Sequence, residues 1–170
     1  MDGCLPASTG IGISPGNGSR CAIDLFAALG ANGSLHRYDV AGRQRSAYEY
    51  GSAFARAAVA QTPAGRTIFV SGTAAIDARG LTCHLDNIPG QIQMTLDNVT
   101  AVLSQFSVKP CDAVQAIAYC ANSAVVETFV QHYRTKYPWP WLTMIGDVCR
   151  PDLLFEVEIT VCPGAKAVLA

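Results

Sequence analysis

Two glutamates, a cysteine and an arginine carry the chemistry that can be read from this sequence. Glu156 and Glu158 lie in the run Leu153-Leu154-Phe155-Glu156-Val157-Glu158-Ile159-Thr160-Val161. Residues two apart in a strand point to the same face. The two carboxylates therefore share one face, and Phe155, Val157 and Ile159 share the other. Glutamate is depleted in strands and costly to bury unpaired. The pair is either a solvated or ion-paired strand face, or part of a cleft where burial tunes one carboxyl into a general acid or base.

Cys149 stands just upstream, beside Arg150. A neighbouring cation favours a thiolate nucleophile, and the alternative is a packed, inert thiol. Arg56 sits among alanines in Phe54-Ala55-Arg56-Ala57-Ala58. A guanidinium among small residues suits a clamp on a ligand carboxylate, or equally a subunit-interface salt bridge. Ser71-Gly72-Thr73 ends an apolar run. Free amides there can bind a carboxylate or oxyanion, and the alternative is a simple β-bulge. Trp139-Pro140-Trp141 is an aromatic cluster that covers a pocket or fills an interface.

These residues need elements to position them. Alternation and turn residues predict a hairpin, with strands over residues 53–60 and 67–75 joined through residues 61–65. Ile88, Ile92, Leu96, Val99, Leu103 and Phe106 recur at threes and fours, which predicts a helix over residues 89–106. A strand over residues 113–120 follows. Val126, Phe129, Val130, Tyr133 and Tyr137 mark a second helix, with Asn122 or Ser123 as N-cap. Strands over residues 142–147 and 153–162 close the chain. The order from residue 53 is β-β-α-β-α-β-β, an α+β layer with two helices on one face of a mixed sheet. An extra N-terminal strand is expected over residues 21–29, followed by a turn over residues 31–34. Residues 1–45 form an N-terminal extension, and residues 46–170 the domain proper. The uncovered sheet face argues for oligomerisation.

Composition narrows the classes. The chain has 170 residues, half of them hydrophobic and only 15% charged, which suits a subunit with a buried interface. A net charge of −1 gives no basic field for nucleic acid. No apolar run reaches the ~18 residues of a membrane span. Seven cysteines occur without a Cys-x-x-Cys, as in a reduced, cytoplasmic protein. The scattered His36, His84 and His132 supply no zinc site, and no metal or organic cofactor is implied.

Three segments in order resemble the Rid (YjgF) family, reactive-intermediate deaminases also labelled endoribonucleases. They are Thr67-Ile68-Phe69-Val70-Ser71-Gly72, the helix Gln91-Ile92-Gln93-Met94-Thr95-Leu96-Asp97-Asn98-Val99, and the closing strand Phe155-Glu156-Val157-Glu158-Ile159. The resemblance implies a chorismate-mutase-like α+β protomer and a homotrimer with clefts between subunits. Ser71, Gly72 and Glu156 match the family's site. Phe54 stands where the family has a tyrosine. Trp141 or Leu142 stands where its deaminases carry the arginine that grips the substrate carboxylate, and neither can make that bidentate pair.

A closer resemblance is to the C-terminal half of chorismatases. It is carried by Ser46-Ala47-Tyr48-Glu49-Tyr50, by Ser52-Ala53-Phe54-Ala55-Arg56-Ala57, and by Gly146-Asp147-Val148-Cys149-Arg150-Pro151-Asp152-Leu153-Leu154-Phe155-Glu156. It implies Glu156 as acid/base, Cys149 beside it, and Arg56 on a substrate carboxylate. The expected function is a homotrimer binding a small carboxylated metabolite. As an enzyme it would be a hydrolase or lyase acting on a chorismate-like enol ether or an imine. The alternatives are a non-catalytic metabolite-binding or structural trimer and, more weakly, an endoribonuclease.

Overall fold

A computed structural model describes residues 5–13, 18, 21–23, 25–27 and 35–164. Six strands form one sheet: β1 (Leu35–Tyr38), β2 (Ala57–Thr62), β3 (Gly65–Ala74), β4 (Ala113–Cys120), β5 (Trp141–Ile145) and β6 (Phe155–Val161). Their order is β1-β2-β3-β6-β4-β5. Every neighbouring pair is antiparallel except β4 and β5. The helices are α1 (Ile88–Gln105) and α2 (Ser123–His132). From β2 onward the order is the expected β-β-α-β-α-β-β.

Both helices pack on one sheet face. Ile92, Leu96, Val99 and Val102 of α1 and Val125 and Phe129 of α2 meet Ile68, Val70, Ala116, Ala118, Phe155, Val157 and Ile159. Each Val, Leu, Ile or Phe side chain so buried contributes roughly 1.5–3 kcal/mol. The caps are sequence-encoded: the Asn87 and Asn122 side chains accept from Gly90 N–H and Val125 N–H, satisfying helix-start donors. The α2 face differs from the expected one, because Val125 is fully buried while Val130 is 38% exposed.

The extra N-terminal strand is present but displaced. It is β1, which pairs with β2 from Leu35↔Ala60 to Tyr38↔Ala57. The described residues of 21–29 lie outside strands and are exposed. Their apolar character made them strand-like, but none of the described residues there belongs to a strand of the sheet. The turn expected over residues 31–34 lies outside the described residues.

The α1 motif residues turn out to be braces. Gln91 is fully buried. Its Nε2 donates to Asp152 O at 2.8 Å, and its Oε1 accepts from Leu154 N–H at 2.8 Å. Asn98 Nδ2 donates to Ala74 O at 3.0 Å and to Ile76 O at 3.1 Å. The buried Gln44 donates to the same two carbonyls. The helix thereby fixes the end of β3 and the start of β6, which together floor the site.

Candidate functional site

The site lies on the sheet face opposite the helices, at the end where β3 and β6 diverge from regular pairing. Glu156 pairs with Ala74 on one side and Tyr119 on the other. Phe155 and Val157 point into the helix-side core, so the pleat sends Glu156 to the opposite face. Three steps along β3, from Val70 to Thr73, match only two along β6, from Ile159 to Val157. Ser71-Gly72 is therefore a β-bulge, a feature that re-aims strand residues locally.

Glu156 is 4% exposed, and its Oε2 has no hydrogen-bond partner among the described residues. Burial, reinforced by the charge of Glu158 and opposed by Arg56, pushes its pKa up to about 7. At neutral pH it is poised to give or take a proton, the condition for general acid/base work. Glu158, on the same face, accepts from Tyr119 OH at 3.3 Å. Among the described residues it forms no ion pair within the chain.

Arg56 is 2% exposed. It lies in a bend just before β2 rather than within a strand. Backbone bonds from Arg56 N–H to Tyr38 O (2.7 Å) and from Ser71 N–H to Arg56 O (3.1 Å) hold the bend. The guanidinium lies near two rings, with Cζ 5.4 Å from the Tyr50 centroid and 5.2 Å from that of Phe54. Nε donates to Arg45 O at 3.1 Å, and one Nη to Tyr50 OH. Among the described residues the other Nη makes no hydrogen bond, and Arg56 lines the cavity. Burial lowers the Arg56 pKa, and Tyr50 opposes that.

A cavity of about 300 Å³ joins these groups, lined by Glu156, Arg56, Phe54, Gly72, Cys149, Arg150, Tyr50, Ser52 and residues 8–10. The structure thus brings Glu156, Arg56, Phe54, Gly72 and Cys149 together from distant parts of the sequence. Arg150 turns its guanidinium to Gly80 O at 2.9 Å and packs over Tyr50, 5.0 Å from its ring centroid. Cys149 is exposed. Desolvation and the Glu156 charge outweigh Arg150 and push its thiol pKa up, which disfavours the thiolate form.

Two expectations change in detail. The Ser71 and Gly72 amides are not free: they donate to Arg56 O (3.1 Å) and Thr9 Oγ1 (2.9 Å). The Ser71 hydroxyl accepts from Ser8 N–H at 2.9 Å and is bonded to Ala55 O. Trp141 is not among the cavity's lining residues. It packs on the helix side, 4.9 Å from the Phe129 ring and 5.2 Å from that of Trp139. Strand register explains this: Trp141 pairs with the inward-facing Ala116.

Residues 5–13 supply a wall that the sequence did not reveal. Ala55 N–H donates to Pro6 O at 2.8 Å, and Gly12 and Asp147 exchange bonds of 2.8 and 3.1 Å. The polar Ser8 and Thr9 gave no hydrophobic period by which to place this segment.

No family model matches this sequence, and no curated protein matches it. Solved structures do. A chorismatase structure is 24% identical with a TM-score of 0.61, covering 76% of this chain and 44% of its own. The match thus spans less than half of that protein. A Rid-family protein of unknown function from Yersinia pestis is 18% identical, with a TM-score of 0.57, covering 76% of this chain and 99% of its own. A Mycobacterium tuberculosis member of the YjgF/YER057c/UK114 family is 19% identical, with a TM-score of 0.54, covering 76% and 99%. The likeness is one of fold: this chain has the α+β fold of the Rid/YjgF and chorismatase structures.

Proposed function

We propose that this Rid-like chain binds a small carboxylated metabolite in the Glu156–Arg56 cleft and acts on it by proton transfer through Glu156. The carrying observation is the Glu156 carboxyl, buried, without a partner on Oε2, and shifted to about 7 beside the cavity. An unpartnered buried carboxyl costs stability, and a role in the cleft accounts for its presence. Arg56 would hold the ligand carboxylate through the Nη that does not bond Tyr50. Glu156 would protonate an enol ether or imine, water would add to the cation so formed, and the alcohol or amine would leave, completing hydrolysis. Cys149 would line the cleft as a neutral thiol.

The working unit in this reading is a homotrimer. Support comes from the sheet face opposite the helices, where Phe69, Ile117, Leu142 and Met144 accompany the two glutamates. Leu142 is 52% exposed in the single chain. Sedimentation equilibrium would give three times the 18.0 kDa chain mass, and an 18.0 kDa species would contradict the assembly.

A second reading, a metabolite-binding trimer without chemistry, is favoured by the occupied Ser71 and Gly72 amides. No free amide donor is left there to stabilise a developing oxyanion. Incubation of the protein and its Glu156→Ala variant with chorismate and with simple imines separates the two. Turnover abolished in the variant supports the enzyme. Saturable, Arg56-dependent binding without turnover supports the sensor.

A further inference from the structure

The N-terminal segment is part of the cleft: Ser8, Thr9 and Gly10 line its cavity. Residues 6–12 are pinned at both ends, by Pro6 O to Ala55 N–H and by the Gly12–Asp147 pair. Between these anchors Ser8 N–H donates to Ser71 Oγ at 2.9 Å, and Gly72 N–H donates to Thr9 Oγ1 at 2.9 Å. The segment is thus fitted to the bulge that lies against Glu156.

Thr9 carries the inference. A hydroxyl has one proton to donate and two lone pairs. The Gly72 amide takes one lone pair and fixes where the oxygen sits. No acceptor for the Thr9 proton is found among the described residues, while Thr9 lines the cavity. The Glu156 carboxyl and the Thr9 methyl both crowd the same side of Gly72, where a Cβ would come 2.9 Å from Glu156 Cδ and 2.8 Å from Thr9 Cγ2. Thr9, with its unspent donor, and Glu156 therefore line the same cavity on either side of Gly72.

We propose that Thr9 is a ligand-contacting residue, donating its hydroxyl proton to an oxygen of a bound carboxylated molecule beside Glu156. The N-terminal segment then completes the site from within the same chain. This rests on the reading of the cleft as a carboxylate site, and it adds a specificity element: the ligand must present an acceptor at Thr9 as well as an anion at Arg56. A ligand lacking that acceptor would leave the hydroxyl unpaired, which disfavours it.

The test compares wild type, Thr9→Val, Thr9→Ser and Arg56→Met by calorimetric titration with chorismate and with benzoate. Thr9→Val removes the hydroxyl while keeping the shape, and Thr9→Ser restores it. The expected result is about tenfold weaker chorismate binding in Thr9→Val, the loss of one hydrogen bond, with wild-type affinity in Thr9→Ser. Thermal unfolding of both variants checks that they fold. Unchanged affinity in Thr9→Val, with Arg56→Met impaired, overturns the role of Thr9 alone. Tighter binding in Thr9→Val also overturns it, because Thr9 would then compete with the ligand for the Gly72 amide. Absence of binding to the wild type overturns the carboxylate-site reading, and this proposal with it.

Discussion

The Glu156 carboxylate occupies the space that a side chain on residue 72 would fill. A Cβ built on Gly72 would collide with Glu156 Oε1 and lie 2.9 Å from Cδ. The bulge in β3 and the missing side chain together make the seat for the acid. The glycine is required there by close approach, and its φ plays no part.

Gly72→Ala should therefore disturb the carboxyl more than the fold. The floor on either side is held by Asn98 and Gln44 at residues 74–76 and by Gln91 at residues 152–154. We expect kcat/KM on the accepted substrate to fall by about 100-fold, the scale of a misplacement near 1 Å, with a native far-ultraviolet spectrum. Steady-state kinetics and circular dichroism on the same preparation check this.

Raising the Glu156 pKa has a definite sign for stability. Its folded value of about 7 lies above the ordinary 4.5, so between these the folded chain binds more protons than the unfolded one. The contribution is fully present below about 4.5 and is lost as pH rises through about 7. By linkage the cost of the charged form at pH 8 is about 3 kcal/mol. Glu156→Gln should thus be more stable than wild type at pH 8 by up to that amount and close to wild type at pH 4. Urea unfolding at the two pH values measures it.

Gln91→Ala should destabilise strongly although Gln91 touches no ligand. It strips the partners from Leu154 N–H and Asp152 O at a fully buried position. A loss of about 2–4 kcal/mol is expected from two broken bonds with their partners left behind, readable as a lower urea midpoint.

Cys149→Ser should leave turnover within about threefold of wild type. Desolvation and Glu156 keep the thiol from ionising easily, and a neutral thiol is a poor nucleophile. The same variant should abolish turnover if a covalent thioether or thioester were formed, so one kinetic assay decides it.

Much of the framework was legible because it rests on local periodicity. The apolar spacing of α1 marks its length to within a residue at each end, and the alternation in β4 gives Ala113–Cys120. In the second helix the periodicity is ambiguous. Val125, Val126, Phe129 and Val130 are apolar on adjoining faces, and only packing against β4 and β5 selects Val125 and Phe129. Leu-His-Arg-Tyr has no strand signature, so β1 exists by pairing with β2.

The site was legible in part for a related reason. Residue type singled out Glu156, Arg56 and Gly72, but their convergence depends on register across strands far apart in sequence. Arg56 is held in a bend by Tyr38 and Ser71 rather than in a strand. Tyr50 and Thr9 enter through contacts that no spacing rule reports. The alternation of β5 sends Trp141 to the helix side, a parity that the proline before it concealed.

Proton uptake on ligand binding tests the central claim most directly. An anion held at Arg56 beside Glu156 should raise the Glu156 pKa further, so binding near pH 7.5 must draw protons from the buffer. Benzoate binding measured calorimetrically at pH 7.5 in two buffers of different ionisation enthalpy reads that uptake. The account predicts a buffer-dependent heat in the wild type, none in Glu156→Gln, and lost binding in Arg56→Met. Binding whose heat is the same in both buffers, and whose affinity survives in Arg56→Met, would contradict it.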